Sequence, residues 1–213
     1  MKKTKGKLLI SSGLLLLVAA LFLTCYNIWE AKKASDTAQK ALEPLEKKIE
    51  ANRNSALEEE QEEVTERPLY EQYPDMEMPA AEIDGREYIG VLQITSLNLK
   101  LPVLSGWSYP GLRVAPCRYK GSAYSHDLIV AAHNYSSHFG NLKTLEPGEE
   151  ISFMDVQGNQ FFYEVVDMEE LPGTAVEDME AGEWDMTLFT CTLGGRSRVT
   201  LRCRLLSSVP AGE

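Results

Sequence analysis

Residues 8–29, LLISSGLLLLVAALFLTCYNIW, carry no charge. As a helix, such a run is about 33 Å long at roughly 1.5 Å per residue, enough to cross the hydrocarbon core of a bilayer. The 213-residue chain therefore cannot be one globular body. Lys2, Lys3, Lys5 and Lys7 precede the run with no acid among them, and the positive-inside rule puts residues 1–7 in the cytoplasm as a basic tail and everything after Trp29 outside the cell. Tyr26 and Trp29 suit the outer interface. A cleaved signal peptide would need a shorter apolar region and a small-x-small site, and Phe22 and Thr24 make LFLTC a poor lipobox. The expectation is an uncleaved, single-pass membrane anchor over residues 8–29.

Charge divides the rest. Residues 30–67 hold seven basic and eleven acidic residues, and residues 68–213 hold ten and 21. An exported domain this acidic has no electrostatic footprint for nucleic acid. Of the four cysteines, Cys25 lies in the apolar run. Cys117, Cys191 and Cys203 remain, an odd number that leaves at least one thiol unpaired.

The segment after the anchor is rich in Ala, Glu, Lys and Leu, with Leu42, Leu45 and Ile49 as a thin apolar stripe and Pro44 near a start or kink. It reads as a helical stalk or a disordered acidic spacer, continuing to residue 82 through the proline-rich RPLYEQYPDMEMPAAE (67–82). From residue 83 to 207 the pattern is β. Runs at 88–94, 99–104, 127–133, 150–155, 160–171, 186–191 and 198–206 are separated by Gly, Pro, Asn and Asp clusters. Seven or eight such runs argue a mostly β domain, a closed barrel or a sandwich. Residues 136–149 offer one short helix or helical turn, and residues 208–213 form a tail.

Two apolar runs stop at reactive residue types. DLIVAAH ends at His133 and MTLFTC ends at Cys191. Strand ends are rigid yet open, which suits a thiolate and an imidazole that exchange a proton. A third group must stabilise an oxyanion, and GGRSRV offers Arg196 or Arg198. Along 198–205, Val199, Leu201, Cys203 and Leu205 share one face, expected to be core. Arg198, Thr200, Arg202 and Arg204 share the other, with Arg202 and Arg204 expected in solvent. His126 and His138 complete the histidines. No C-x-x-C or H-x-x-x-H spacing supports a metal site.

TLFTCT followed by GGRSRVTLR resembles the signature of the sortase family, and LIVAAHNY resembles that family's histidine strand, in the same order along the chain. Anchor, stalk and β-rich domain fit the same layout, and AAHNYSSHFGNLKTLEPGE is similar to class B and class D members. The resemblance implies an eight-stranded β-barrel and a cysteine transpeptidase outside a Gram-positive membrane, with no cofactor. It carries the catalytic roles to Cys191, His133 and Arg198, and substrate binding to Thr190, Asn134 and Arg196, with Arg196 competing for the arginine role. It also implies the partners: secreted proteins bearing an LPxTG-like sorting signal, and an amine from a cell-wall precursor or a pilin lysine. Two positions depart from the pattern. Ala132 stands where many members have glycine. Cys117 also stands where glycine is expected, which leaves room for a Cys117–Cys203 bridge or a redox-sensitive thiol. The alternatives are a non-catalytic anchored module on the same scaffold, or another exported Cys–His cell-wall peptidase, a type in which cysteine order and local sequence differ from those here.

Overall fold

A computed structural model describes residues 2–60 and 68–211. One helix, α1 (Lys2–Glu60), opens the chain. It is the one described helix long and apolar enough to cross a membrane, and its apolar window, of mean hydropathy 2.2, has no part buried. Further along, the same helix turns a face to the rest of the molecule. Ala34, Ala38, Ala41, Leu45 and Ile49 are buried, a spacing of four, three, four and four that forms one stripe. All but Ala34 join the main hydrophobic core. Alanines let the backbone approach the sheet closely, and Leu45 and Ile49 fill the gap beyond. Burying Leu45 alone is worth about 2–3 kcal/mol, enough to offset most of the roughly 3 kcal/mol that Pro44 costs inside the helix. The helix runs through Pro44 without a break. The Asn52 side-chain amide donates to the Val156 carbonyl at 2.6 Å, and Glu46 pairs with Lys100.

Nine strands follow: β1 (Ala81–Ile83), β2 (Arg86–Ile94), β3 (Leu99–Leu104), β4 (Cys117–Lys120), β5 (Leu128–Ala132), β6 (Glu150–Asp155), β7 (Gln160–Pro172), β8 (Met186–Cys191) and β9 (Ser197–Val209). They form one sheet in the order β1-β2-β3-β4-β5-β8-β9-β7-β6, and β6 pairs back onto β2. Strands β2 to β9 thus close into a ring of eight, with β1 added at the start of β2. Pairings are antiparallel except β3–β4 and β5–β8. The parallel β5–β8 pair joins segments far apart in the chain, and β5 is buried at all five residues, as a strand covered on both faces should be.

The proline-rich residues after 67 lie on this ring. Tyr70 is buried, stacks on Tyr124 (centroids 5.1 Å apart) and meets Phe161 edge-on. Met78 is buried, and its sulfur accepts from the Ala123 backbone N–H. In 136–149 the only helical element is a single 3-10 turn, Leu142–Thr144.

Strand β9 corrects one expectation. Arg202 is not in solvent: it is 2% exposed. The short helix Val176–Glu180 and the end of β7 cover that face of β9. The Arg202 guanidinium donates to the carbonyls of Asp178 and Met179, to Thr187 Oγ1 and to Glu169. Arg204 is exposed and lies over the Trp184 ring. Cys203 is on the core side, as its alternation implied. Cys117 and Cys203 are buried free thiols, with no bridge between them. Burial pushes the Cys117 thiol up to about 11 and Cys203 up to about 12, so neither is a ready thiolate.

Candidate active site

Three neighbouring strands bring the sequence-derived residues to one level. Across the antiparallel β8–β9 pair, Cys191 and Arg198 are direct partners. Across the parallel β5–β8 pair, Ala132 is level with Thr190, so His133 and Cys191 are each the next residue along. Direct partners share a face of a sheet, and residues two apart in one strand share it too. Ala131, Phe189, Cys191 and Arg198 therefore lie on one side, and His133 is the first residue beyond the end of β5. Leu188, Val199 and Leu201 lie on the opposite face and are buried, whereas Cys191 is exposed.

Local chemistry fixes each position. Gly194 and Gly195 both have positive φ, +86° and +69°, in the turn that joins β8 to β9, a conformation side chains other than glycine resist. Thr192 N–H donates to the Ser197 carbonyl at 2.9 Å and Gly195 N–H to the Thr192 carbonyl at 2.9 Å, which closes the turn and locks Cys191 opposite Arg198. His133 opens a loop that folds back on itself. Its carbonyl accepts from Phe139 N–H at 3.1 Å, and Gly140 N–H donates to the Tyr135 carbonyl at 2.9 Å. A Cβ on Gly140 would meet the Asn134 carbonyl at 2.5 Å, so only glycine permits this close approach.

Cys191 is exposed, and His133 and Arg198 are partly buried. The Arg198 guanidinium lies over the Phe189 ring, 5.8 Å from its centroid. The Arg198 Nη1 is buried without a hydrogen-bond partner, a donor aimed at no protein acceptor. Aromatic contacts continue outward from Phe189 to Tyr119 (5.4 Å) and on to the exposed Trp107 (6.0 Å) and Tyr109. Burial holds the His133 imidazole below the ordinary histidine range. The Glu30 carboxylate pulls the other way, and Arg113 adds to the lowering.

The remaining sequence-derived residues sit differently. Arg196 is an exposed turn residue whose carbonyl accepts from Gly173 N–H; it is not level with Cys191. Thr190 is 3% exposed, and its hydroxyl donates to the Ala132 carbonyl at 2.8 Å, tying β8 to β5 directly beneath Cys191 and His133. Asn134 is half-buried in the histidine loop. Among the described residues no group of three or more His, Cys, Asp or Glu is arranged to hold a metal ion.

A family model described as Sortase domain matches residues 92–206, more than half of the chain, and that span holds His133, Cys191 and Arg198. The chain belongs to the sortase family. It is similar to Sortase A of Bacillus anthracis, 29% identical over 125 residues, which cover 55% of this chain and 59% of that relative. The chain thus spans less than two thirds of that relative's length. Among solved structures it is similar to sortase C1 of Streptococcus agalactiae, with TM-score 0.52 and 24% identity over 59% of this chain and 71% of that one. It is also similar to the Clostridium perfringens sortase D5 transpeptidase, with TM-score 0.51 and 19% identity over 74% of this chain and 99% of that one. At such identities these two likenesses are of fold.

Sequence reasoning missed four residues around this sortase site. Phe189 was legible, because it stands two before Cys191 in a strand and must share its face. Tyr119 was not, since β4 is only four residues long. Glu30 and Arg113 carry no local signal: they act on the charge of the histidine from the N-terminal helix and from the C-cap of the turn Tyr109–Leu112.

Proposed function

We propose that this sortase is a membrane-anchored cysteine transpeptidase, with its N-terminus in the cytoplasm and its ring of strands outside, that cleaves an LPxTG-like sorting signal and passes the protein to an amine. The observation that carries the reading is the common level of Cys191, His133 and Arg198 on three adjacent strands.

The Cys191 thiolate attacks the carbonyl carbon of the Thr–Gly amide. The developing oxyanion is held by the Arg198 guanidinium, whose rigid fork and unpartnered Nη1 suit an oxygen acceptor. Collapse breaks the C–N bond. The His133 imidazolium gives its proton to the leaving amine, leaving an acyl thioester on Cys191 and a neutral imidazole. An incoming amine, from a cell-wall precursor or a pilin lysine, then attacks the thioester and gives its proton to His133. The new amide forms and the thiolate leaves, restoring the starting ion pair. Thr190 acts from below, by fixing β8 against β5, and Asn134 and Arg196, in the loops that follow β5 and β8, meet the substrate from either side.

The test is mass spectrometry of the full chain with a panel of sorting peptides. The parent protein gains the mass of the acyl fragment. Cys191→Ala gains none while keeping its fold by circular dichroism. Arg198→Lys forms the acyl-enzyme at least about a hundredfold more slowly, because a point charge does not replace the fork, and Arg196→Lys changes the rate little. Turnover by Cys191→Ala sinks the mechanism, and a reversed order of the two arginine variants reassigns the oxyanion role to Arg196.

A further inference from the structure

His133 stands on a loop, one residue past the end of β5. The hydrogen bond from Thr190 to the Ala132 carbonyl fixes the backbone just before it, but leaves the imidazole its choice of staggered rotamers. Among the described residues no hydrogen bond orients the His133 ring. Its ring contact is with Tyr135, centroids 5.0 Å apart and planes tilted by 41°. Proton transfer to a leaving amine needs a ring nitrogen within hydrogen-bond reach of one place, so something must select the rotamer.

Tyr135 is itself held. Its ring also meets that of His138, with centroids 5.6 Å apart and planes tilted by 55°. His138 is fully buried, so the inner end of this row of three rings belongs to the packed interior. The Tyr135 carbonyl accepts from His138 N–H and from Gly140 N–H, each at 2.9 Å, and the His133 carbonyl accepts from Phe139 N–H at 3.1 Å. A Cβ on Gly140 would come within 2.8 Å of the Tyr135 carbonyl oxygen, so the glycine lets the loop close this tightly. Backbone hydrogen bonds fix where the Tyr135 side chain starts, and His138 limits where its ring can go.

We propose that Tyr135 is a positioning residue: its ring, backed by His138, holds the His133 imidazole in the orientation from which it gives a proton to the leaving amine beside Cys191. The effect on turnover rests on the transpeptidase reading, and the effect on the histidine rests on the ring contact alone. A flat aromatic ring 5.0 Å away restricts the imidazole by packing and occupies neither of its nitrogens. Both nitrogens therefore stay free for the proton. It follows that the ring of Tyr135 matters and its hydroxyl does not.

Three variants separate this role from a structural one. Tyr135→Phe keeps the ring, Tyr135→Leu removes it, and Ser136→Ala changes an exposed neighbour in the same loop. The protein is the full chain in lipid nanodiscs, labelled with carbon-13 at the histidine rings, and loss of a signal in His133→Gln assigns His133. Tyr135→Leu is expected to move that signal, because it removes the ring current of the tyrosine, while Tyr135→Phe and Ser136→Ala leave it in place. In acyl-enzyme formation from a sorting peptide, kcat falls about tenfold in Tyr135→Leu with KM within about twofold of the parent, and Tyr135→Phe recovers most of the loss. With the scissile amide replaced by an activated ester, whose leaving group departs without a proton, the deficit of Tyr135→Leu shrinks to under about twofold. In the His133→Gln background, Tyr135→Leu costs nothing further. An unmoved His133 signal in Tyr135→Leu overturns the proposal. So does an equal deficit on amide and ester, or an added loss in the His133→Gln background, since each would mean general loosening of the loop. If the parent acylates with no peptide, the transpeptidase reading fails, and the ring signals alone decide whether Tyr135 holds His133.

Discussion

His138 shows how a single side chain can set the pH range of the whole fold. It is fully buried, and neither ring nitrogen has a hydrogen-bond partner. Burial first, and then the neighbouring His133, pushes its proton affinity down to about 4. An unfolded histidine binds its proton near 6.5. Between these values the unfolded chain binds more protons than the folded one, so stability is complete above about 6.5 and is lost as pH falls towards 4. The full loss is about 3 kcal/mol. Asp155, raised by burial, tilts stability the other way, so the informative quantity is a difference. Thermal melts of the parent and of His138→Gln at pH 7 and pH 4.5 are expected to show a smaller acid-induced drop in the variant. Equal drops would remove His138 from the account. The same loop holds His133 by a different balance: it is half-buried, burial lowers its proton affinity, Glu30 raises it and Arg113 lowers it.

At the scale of elements, Arg202 does for the β7–β8 connection what a core residue does elsewhere. Its guanidinium satisfies the carbonyls of Asp178 and Met179 at the end of the short helix Val176–Glu180, and pairs with Glu169 on β7. Those contacts hold the connection that feeds β8, the strand carrying Cys191. Arg202→Leu leaves carbonyls and Thr187 without donors under cover, and is expected to cost about 2–4 kcal/mol. Arg204→Leu, at an exposed site, is expected to cost under about 1 kcal/mol. Chemical denaturation of the two variants separates them, and equal costs would mean that the cover over β9 is not held by Arg202. The alternation of 198–205 put Cys203 in the core correctly and put Arg202 in solvent incorrectly. Alternation tells which residues share a face, and says nothing of what a segment 23 or 24 residues away lays over that face. For the same reason the long runs at 150–155, 160–171 and 186–191 were legible, while β1 and β4, three and four residues long, were not.

For the whole molecule, the decisive fact is that the stretch of α1 beyond its apolar run packs on the ring. From Ala34 to Ile49 the helix lies on the strands for about 22 Å at roughly 1.5 Å per residue, and Asn52 ties its far end to Val156. The sequence showed a helix former after the apolar run, and Leu45 and Ile49 as part of a stripe. It did not show that Ala34, Ala38 and Ala41 continue that stripe, because alanine is as common on exposed helix faces as on buried ones. Docking has a consequence for where the chemistry takes place. Glu30 is the first residue after the uncharged run and pairs with Arg113, on the ring, at 3.6 Å. If residues 8–29 span a bilayer, the packed helix seats the ring, and Cys191 with it, near the outer surface, and an amine or a peptide carried in the membrane needs no long reach to arrive there. A bimane fluorophore on Cys191 reads that depth. Cys25→Ser removes the other exposed thiol, and Cys117 and Cys203 are buried. In nanodiscs, nitroxides on lipid headgroups are expected to quench the bimane strongly, and nitroxides deep in the acyl chains only weakly. Absence of headgroup quenching would mean that the helix leaves the ring before it reaches the membrane, and that Cys191 stands clear of the surface.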